Sequence, residues 1–247
     1  MSKVAISEEY LTDIADSIRE KLNSQDTYKV SEMSEAIDSI ETGGGGTDWS
    51  IIGYENEPEG FTMTMNYAKD IYDNWDNSAS SYGSKFSGDK SLNIMPNVDT
   101  SRASLFNAMF YNATALKIVP PLNTSNGTTF NQMFSGCTAL ETIPELDFSN
   151  ATRIDTLLSS TSSLKKLGGF KNLGQSYSKT QSANYNRYKL DVSANIDHDS
   201  LMNIINKVYD IATRGCNTQT LSFGSTNLAK LTAQEIAIAT NKGWTVS

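Results

Sequence analysis

The sequence predicts an α/β repeat protein, a short solenoid with parallel strands that is preceded by an N-terminal amphipathic helical hairpin. Two observations predict this fold class. The middle of the chain repeats every 24 residues without insertion or deletion, and apolar residues near the N-terminus recur at helical spacing. A unit of this length is too short to bury its own apolar face, so neighbouring units must stack into a continuous core.

The helical hairpin is predicted over residues 1–42. Apolar residues recur there at steps of three and four in two short stretches, a pattern typical of amphipathic helices. Ser7 is placed to cap the first helix. Helices this short depend on tertiary packing, so the hairpin must dock on another surface. The side chains expected to make that contact are Leu11, Ile14, Ile18, Leu22, Val30, Met33, Ile37 and Ile40.

A glycine-rich linker is predicted over residues 43–47, because four consecutive glycines make a flexible connection. Residues 48–83 follow and are rich in aromatic residues, with Asp70, Asp73 and Asp76 between them. An aromatic and acidic cluster suits either a sugar-binding platform or a cap over the open end of a repeat stack. Because terminal repeats are expected to be atypical, we interpret this segment as an N-terminal cap.

The repeats are predicted over residues 84–173. Within a unit, the segment from Leu116 to Leu122 places apolar residues at every third position, in the style of a leucine-rich-repeat strand. Prolines inside this segment remove hydrogen-bond donors, so the strands should be short. The region is therefore predicted to be a leucine-rich-repeat solenoid. Its five columns begin at Phe86, Leu92, Met95, Pro96 and Val98 and recur at intervals of 24 residues, with Leu158 and Gly168 as departures in the fourth unit.

The C-terminal part is divided into a polar insertion at 174–189 and a strand-helix cap at 190–247. Short apolar runs alternate with helical patterns in the cap, which predicts further parallel strands covered by helices. One helix is expected from about His198 to Thr213 and another from Thr232 to Lys242. Thr232 and Glu235 fit a capping box.

The charge distribution argues against nucleic acid as a partner. Residues 1–76 hold 17 acidic against 5 basic residues (net −12), whereas 77–247 hold 11 against 15 (net +4), which gives the chain's −8. A phosphate-binding face needs a dense basic stripe, and this excess is small and scattered. No stretch approaches the length of about 18 apolar residues that a membrane span requires, so no membrane insertion is expected. The N-terminus has no unbroken apolar core and no cleavage signal, so synthesis in the cytoplasm of the producing cell is predicted.

No residue pattern predicts an enzyme. The lone His198 follows Asp197, and this pair is interpreted as a helix N-terminus. Glu141, Glu145 and Asp147 could supply the two carboxylates of a glycosidase, but residues spaced along one repeat more often lie on a solvated face. No catalytic, metal-binding or cofactor-binding residue is therefore assigned, and no cofactor is expected.

The remaining polar residues and cysteines have structural interpretations. Asp99, Asn123 and Asp147 share one column, where Asn or Asp before Ser or Thr suits a tight corner. Cys137 and Cys216 are 79 positions apart and lack metal-ligand spacing, so neither a disulfide nor a zinc site is indicated. Cys137 is predicted to be a buried thiol.

Recognition is placed in the polar insertion. Tyrosine, asparagine and arginine are favoured at recognition surfaces, and sugar stacking on tyrosine is the specific hypothesis. A loop without a partner is the alternative. The candidate receptor contacts are Tyr177, Tyr185, Asn186, Arg187 and Tyr188.

Three stretches resemble phage proteins. The opening YLTDIADSIREKLNSQDTYKVSEMSEAIDSI resembles the N-terminal helical module of phage tail and baseplate appendage proteins. MFYNATALKIVPPLNTSN and MFSGCTALETIPELDFSN resemble the leucine-rich repeats of bacterial surface-antigen type that those proteins carry. HDSLMNIINKVYDIATRG, together with the sequence from LSFGST to the end, resembles their closing module.

The resemblance implies a non-enzymatic structural protein of the virion, in a tail fibre, tail tip or baseplate. It implies assembly through the N-terminal helices into a homotrimer or other homo-oligomer, contact with other phage tail proteins, and host attachment through a cell-surface glycan or protein. A bacterial leucine-rich-repeat surface or protein-interaction protein is the alternative. A polysaccharide-cleaving enzyme is the third possibility.

Overall fold

Turns and irregular backbone, rather than long strands or helices, make up most of the described structure. The computed structural model describes residues 66–178 and 189–247, which all belong to one compact unit. The predicted hairpin at 1–42 and the linker at 43–47 lie outside the described residues, as do half of the predicted cap and most of the insertion.

Among the described residues the regular elements are short, and all but one helix lie after residue 141. The helices are α1 (Asn66–Asp73), α2 (His198–Lys207), α3 (Gly224–Leu228) and α4 (Ala233–Asn241). The strands are β1 (Thr142–Ile143), β2 (Leu146–Asp147), β3 (Lys166–Leu167), β4 (Phe170–Lys171), β5 (Leu190–Asp191), β6 (Gln219–Ser222) and β7 (Trp244–Val246). No helix in the described part of the chain is long and apolar enough to cross a membrane.

Neighbouring 24-residue segments are joined by backbone hydrogen bonds at a constant offset. The N–H of Phe110 donates to the carbonyl of Met133 at 2.9 Å, and the N–H of Phe134 donates to the carbonyl of Leu157 at 3.1 Å. Bonds of this kind satisfy turn backbone that would otherwise lose its partners on burial. The sequence period therefore appears in the structure as the spacing between adjacent segments.

Two columns of aromatic rings fill the core between the segments. In the first, the Phe110 ring centroid lies 5.8 Å from that of Phe86 and 5.6 Å from that of Phe134. In the second, the rings of Phe106 and Phe130 are 5.3 Å apart and parallel. Offset stacking contributes about 0.5–1.5 kcal/mol per pair beyond simple burial. The 24-residue repeat in the sequence predicted the first column, which begins at Phe86, but not the second.

The predicted fold class is wrong. A leucine-rich-repeat solenoid needs a strand from every repeat in one continuous parallel sheet. Here the repeat region forms two separate two-stranded pairs, β1 with β3 and β2 with β4, each strand being two residues long. Elsewhere in it, single bridges such as Leu105 with Thr129 replace strands. No helix lies in the described chain between Asn74 and Ser178. The fold is one of few short strands in small parallel sheets with little helix.

Left-handed backbone explains why strands do not extend. Ser84, Ala108, Gln132 and Thr156 occupy equivalent positions, and their φ angles lie between 53° and 60°. Residues other than glycine rarely adopt this region. Each segment turns sharply at this residue, and a second left-handed residue follows four positions later in every segment. Prolines at the strand-like positions remove further donors, so the pairing stays short.

The C-terminal region forms a three-stranded parallel sheet in the order β5-β6-β7. The predicted capping box is confirmed, because the Thr232 side chain accepts from the Glu235 N–H while the Glu235 carboxylate accepts from the Thr232 N–H. Helix α2 ends at Lys207, earlier than predicted. The N–H of Tyr209 donates instead to the carbonyl of Leu173 at 2.9 Å. Aliphatic residues of α2 and of the segment after it pack into the core and are buried: Ile204, Ile205, Val208 and Ile211.

Candidate recognition surface

The carboxylates and amides of the repeat columns hold the corners of the segments. Asp99 Oδ1 accepts from the N–H of Ser101 at 2.8 Å, and Asp147 Oδ1 accepts from the N–H of Ser149 at 2.9 Å. Asn123 makes the equivalent bond. These are the side-chain turns expected of Asp and Asn. The predicted structural role of this column is confirmed.

Buried threonines connect adjacent segments in the same way. Thr100 Oγ1 donates to the carbonyl of Asn123 at 2.9 Å, and Thr124 Oγ1 donates to that of Asp147 at 2.8 Å. Both threonines are buried. Their hydroxyls are therefore engaged within the protein and do not face a ligand.

Glu141 belongs to a ladder of alternating charge. Its carboxylate lies 2.8 Å from Lys165 Nζ, and Lys117 stands one segment away on the other side. The hydrogen bond and the charge of Lys165, with a smaller effect of Lys117, hold the pKa of Glu141 below its usual value. A general acid in glycoside hydrolysis needs a raised pKa. Glu141 therefore lacks the electrostatic environment of that acid.

The other two carboxylates of the group are also paired. Glu145 lies 2.7 Å from Lys207 Nζ, and Asp147 lies 3.5 Å from Lys171 Nζ. Partial burial raises the pKa of Asp147, but the hydrogen bonds from Ser149 and the charge of Lys171 outweigh it, so the pKa is lowered. The pKa values of Glu141 and Asp147 are therefore both lowered, whereas a general acid needs a raised pKa.

His198 lies at a helix N-terminus, as predicted. Asp197 is the N-cap of α2, and its Oδ1 accepts from the N–H of Ser200 at 2.8 Å. The Nε2 of His198 lies 2.9 Å from a carboxylate oxygen of Glu235. Glu235 belongs to the capping box of α4, so the contact joins two helices. No nucleophile is placed by this pair.

Cys137 is a buried thiol, as predicted. Its Sγ donates to the carbonyl of Phe110 at 3.0 Å. Burial raises the pKa of the Cys137 thiol to about 12. A thiol that stays protonated is a poor nucleophile and a poor metal ligand. Among the described residues, no group of three or more His, Cys, Asp or Glu side chains is arranged to hold a metal ion.

Only one of the predicted receptor contacts is described. Tyr177 is buried, and its ring centroid lies 6.0 Å from that of Trp244. It packs against the C-terminal sheet and does not face outward. Tyr185, Asn186, Arg187 and Tyr188 lie outside the described residues, so recognition by the insertion stays a prediction. The predicted attachment residues of the hairpin also lie outside them: Leu11, Ile14, Ile18, Leu22, Val30, Met33, Ile37 and Ile40.

A polar groove lies at the base of the insertion. Its volume is about 270 Å³, and it is lined by Asp155, Thr156, Ser159, Lys189, Asp191 and Ser193. Two ion pairs neutralise much of its charge. Arg153 binds Asp155 through two nitrogens at 2.6 and 3.2 Å, and Lys189 lies 3.2 Å from Asp191. This insertion-base groove can hydrogen-bond a polar ligand.

A second groove lies where α1 packs on the first repeat segment. Its volume is about 370 Å³, and we name it the aromatic groove. Sequence reasoning missed it because its walls come from separate stretches of the chain. A signal was present, since Tyr67, Asp70 and Asn74 are spaced by three and four residues, as on one face of a helix. The complete lining is Tyr67, Asp70, Ile71, Asn74, Lys85, Phe86, Ser87 and Asp89.

The aromatic groove lies partly within the predicted cap. Trp75 ends the first aromatic column, with its ring centroid 4.5 Å from that of Tyr82 and 6.3 Å from that of Phe86. The Trp75 indole N–H donates to the carbonyl of Asp99 at 2.8 Å. The aromatic residues at this end therefore divide into buried ones, which cover the core, and exposed ones such as Tyr67.

Comparison with known proteins gives one family. The sequence profile described as "Mycoplasma protein of unknown function, DUF285" matches twice, at residues 47–140 and 85–187. Together the matches run from 47 to 187, which is more than half of the 247 residues. No curated protein and no solved structure matches the chain.

Proposed function

Since the chain belongs to the DUF285 family, whose description assigns no activity, we propose its function from sequence and geometry together. We propose a non-enzymatic structural protein of a phage tail, located in a tail fibre, tail tip or baseplate of the virion. It contacts the host surface through its grooves and insertion. The resemblance of the flanking modules to phage tail proteins supports the phage assignment.

The non-enzymatic part rests on one observation. Glu141, Glu145 and Asp147 are the carboxylates that the sequence suggests for a sugar-cleaving enzyme, and each is paired with a lysine. Catalysis by two carboxylates requires environments that push their pKa values apart. The pKa values of Glu141 and Asp147 are both lowered. Carboxyl groups with a lowered pKa stay ionised at neutral pH, which suits a charged surface and does not suit proton donation in catalysis.

Attachment is proposed to use residues 1–42, which assemble a homotrimer or other homo-oligomer and contact other tail proteins. Removal of these residues should reduce the number of chains in each oligomer, as calculated from the mass that light scattering measures in solution. A truncated chain that forms oligomers with the same number of chains as the full chain would contradict this assignment.

The attachment function is tested by adsorption. Phage particles that lack this chain should adsorb to host cells more slowly, and supplying the chain in trans should restore the rate. Unchanged adsorption by particles confirmed to lack the chain would overturn the proposal. Incubation of the full chain with host polysaccharide should release no reducing ends. Release that disappears in both Glu141→Gln and Asp147→Asn would instead identify a depolymerase.

A bacterial surface or protein-interaction protein is the second candidate. The family description names Mycoplasma, a bacterial genus, and this favours a cellular origin for some relatives. Fractionation of the producing strain distinguishes the two. The phage proposal expects the chain in purified particles, whereas the second candidate expects it on cells that produce no particles.

A further inference from the structure

The aromatic groove has the size and wall chemistry of a small-ligand site. Its volume of about 370 Å³ falls within the range of about 300–1,000 Å³ that is usual for such sites. One wall is the outer face of α1, with Tyr67 and Asp70, together with Asn74 directly after the helix. The opposite wall is the turn from Lys85 to Asp89.

The ring of Tyr67 is fixed at the mouth of the groove. Its hydroxyl donates to Asp89 Oδ2 at 2.5 Å, and 37% of the residue is exposed. Desolvation, with smaller contributions from the Asp89 hydrogen bond and from the charges of Asp89 and Asp70, raises the pKa of Tyr67 to about 12. The hydroxyl therefore stays protonated and keeps this bond. An aromatic ring held in one place offers its electron-rich face at little entropic cost.

Asp89 is itself held by the backbone. Its Oδ1 accepts from the N–H groups of Ser91 and Leu92 at 2.8 and 3.0 Å. The anchor of the Tyr67 ring is therefore part of a turn and not a mobile side chain. This preorganisation lowers the entropy lost on binding.

Polar groups surround the ring on both walls. The Asn74 amide nitrogen donates to Asp70 Oδ1 at 3.0 Å and to the Asp70 carbonyl at 2.9 Å, which orients both side chains. A carboxylate accepts up to about four hydrogen bonds, so Asp70 retains capacity for ligand hydroxyls. Lys85 supplies donors from the other wall, where its Nζ lies 4.8 Å from the Trp75 ring centroid.

The charge of the groove selects against anions. Asp70 and Asp89 contribute two negative charges and Lys85 one positive charge, a net −1. Like charges in a partly desolvated groove repel. A ligand that suits these walls presents C–H groups to the ring and hydroxyl donors to the carboxylates, and it carries no negative charge.

We propose that the aromatic groove binds a residue of a neutral glycan, which stacks on Tyr67 and donates hydroxyl hydrogen bonds to Asp70. This deepens the proposed attachment function and rests on it for a biological role, because an attachment protein meets surface glycans. The binding itself is a property of the isolated chain.

Saturation-transfer NMR of the full chain tests the proposal. The probes are neutral oligosaccharides built from glucose, galactose, mannose or N-acetylglucosamine, with trigalacturonate as the anionic comparison. At least one neutral oligosaccharide should receive saturation, and trigalacturonate should bind more weakly. Tyr67→Ala should weaken binding about tenfold, whereas Tyr67→Phe, which keeps the ring but loses its bond to Asp89, should weaken binding less.

Tyr72→Ala is the matched control. Tyr72 lies on the same helix, also has 37% exposure, and does not line the groove. It should leave binding unchanged. Ser87→Trp gives a second variant, since Ser87 is exposed and lines the groove. A bulky ring there should block binding without removing any contact of Tyr67.

Three results would overturn the proposal: no transfer to any neutral oligosaccharide, equal losses in Tyr67→Ala and Tyr72→Ala, or tighter binding of trigalacturonate. Failure here is distinguishable from failure of the attachment function. Particles that need this chain for adsorption although it binds no neutral glycan would refute only the glycan site. Glycan binding by a chain that adsorption does not require would refute the attachment function.

Discussion

Gly168→Ala tests how closely adjacent segments pack. Gly168 occupies the column where the earlier segments have proline, and a Cβ there would meet backbone atoms of the preceding segment. It would lie 2.6 Å from the carbonyl carbon of Pro144 and 2.9 Å from Glu145 Cα, and closer still to the backbone nitrogen of Glu145. Atoms this close must move apart, and backbone cannot rotate away as a flexible side chain can.

The expected loss follows from this clash. Overpacking of a core usually costs about 1–3 kcal/mol, and a clash with backbone places Gly168→Ala near about 3 kcal/mol. For a chain of this length, 1 kcal/mol shifts Tm by about 2–4 °C. Gly168→Ala should therefore lower Tm by about 6–12 °C. The N–H of Leu146, which donates to Gly169 at 3.2 Å, should exchange faster with deuterium.

Gly88→Ala is the matched control for Gly168→Ala. Gly88 has a φ of +75° and nothing within 4 Å of a Cβ, so its substitution introduces backbone strain without a clash. Strain of this kind costs about 1–2 kcal/mol, and alanine recovers about 0.4–1 kcal/mol through the unfolded chain. Circular dichroism during heating measures both variants. A Gly168→Ala protein as stable as Gly88→Ala, or more so, would refute the close packing.

Three further predictions concern single groups. A thiol reagent at pH 8 should modify the partly exposed Cys216 in the native protein, and Cys137 only after unfolding. Folding raises the pKa of Cys137 from 9.0 to about 12. The contribution of the protonated Cys137 thiol to the free energy of unfolding should therefore fall as pH rises from 9 towards 12. Asp197→Ala should lower the free energy of unfolding by about 1 kcal/mol at neutral pH. Because the pKa of this N-cap carboxyl is lowered in the native protein, the difference in stability between the native sequence and the variant, measured by urea titration, should vanish as pH falls through that pKa. Ser84→Gly should raise the free energy of unfolding by about 0.5–1 kcal/mol, because glycine relieves the strain of a φ of 56°. Ser87→Gly is the control, since Ser87 is also exposed but not left-handed, and it should lower the free energy of unfolding. The opposite order of the two variants in urea denaturation would contradict the strain argument.

Features that depend on neighbouring residues in the chain could be predicted from the sequence. The capping box of Thr232 and Glu235 is an example, as are the corner turns at Asp99 and the burial of Cys137. Each depends on a few adjacent residues or on a strict repeat. The 24-residue offset between segments was likewise readable, because packing in register requires equal lengths.

Features that depend on distant contacts could not be predicted. Helix α2 stops early because the N–H of Tyr209 bonds to Leu173, far away in the chain. The prediction of the fold class was wrong because Gln132 and Thr156 adopt left-handed backbone, and neither position has a glycine that would indicate this in the sequence. The aromatic groove needs α1 and the Lys85 turn together, and no single stretch of sequence contains both.

Immunogold electron microscopy of phage particles tests the central claim most directly. Antibodies raised against the full chain should place gold at the tail of intact particles, at the fibre, tip or baseplate. Gold on the bacterial surface, together with unlabelled particles, would contradict the assignment to a phage tail.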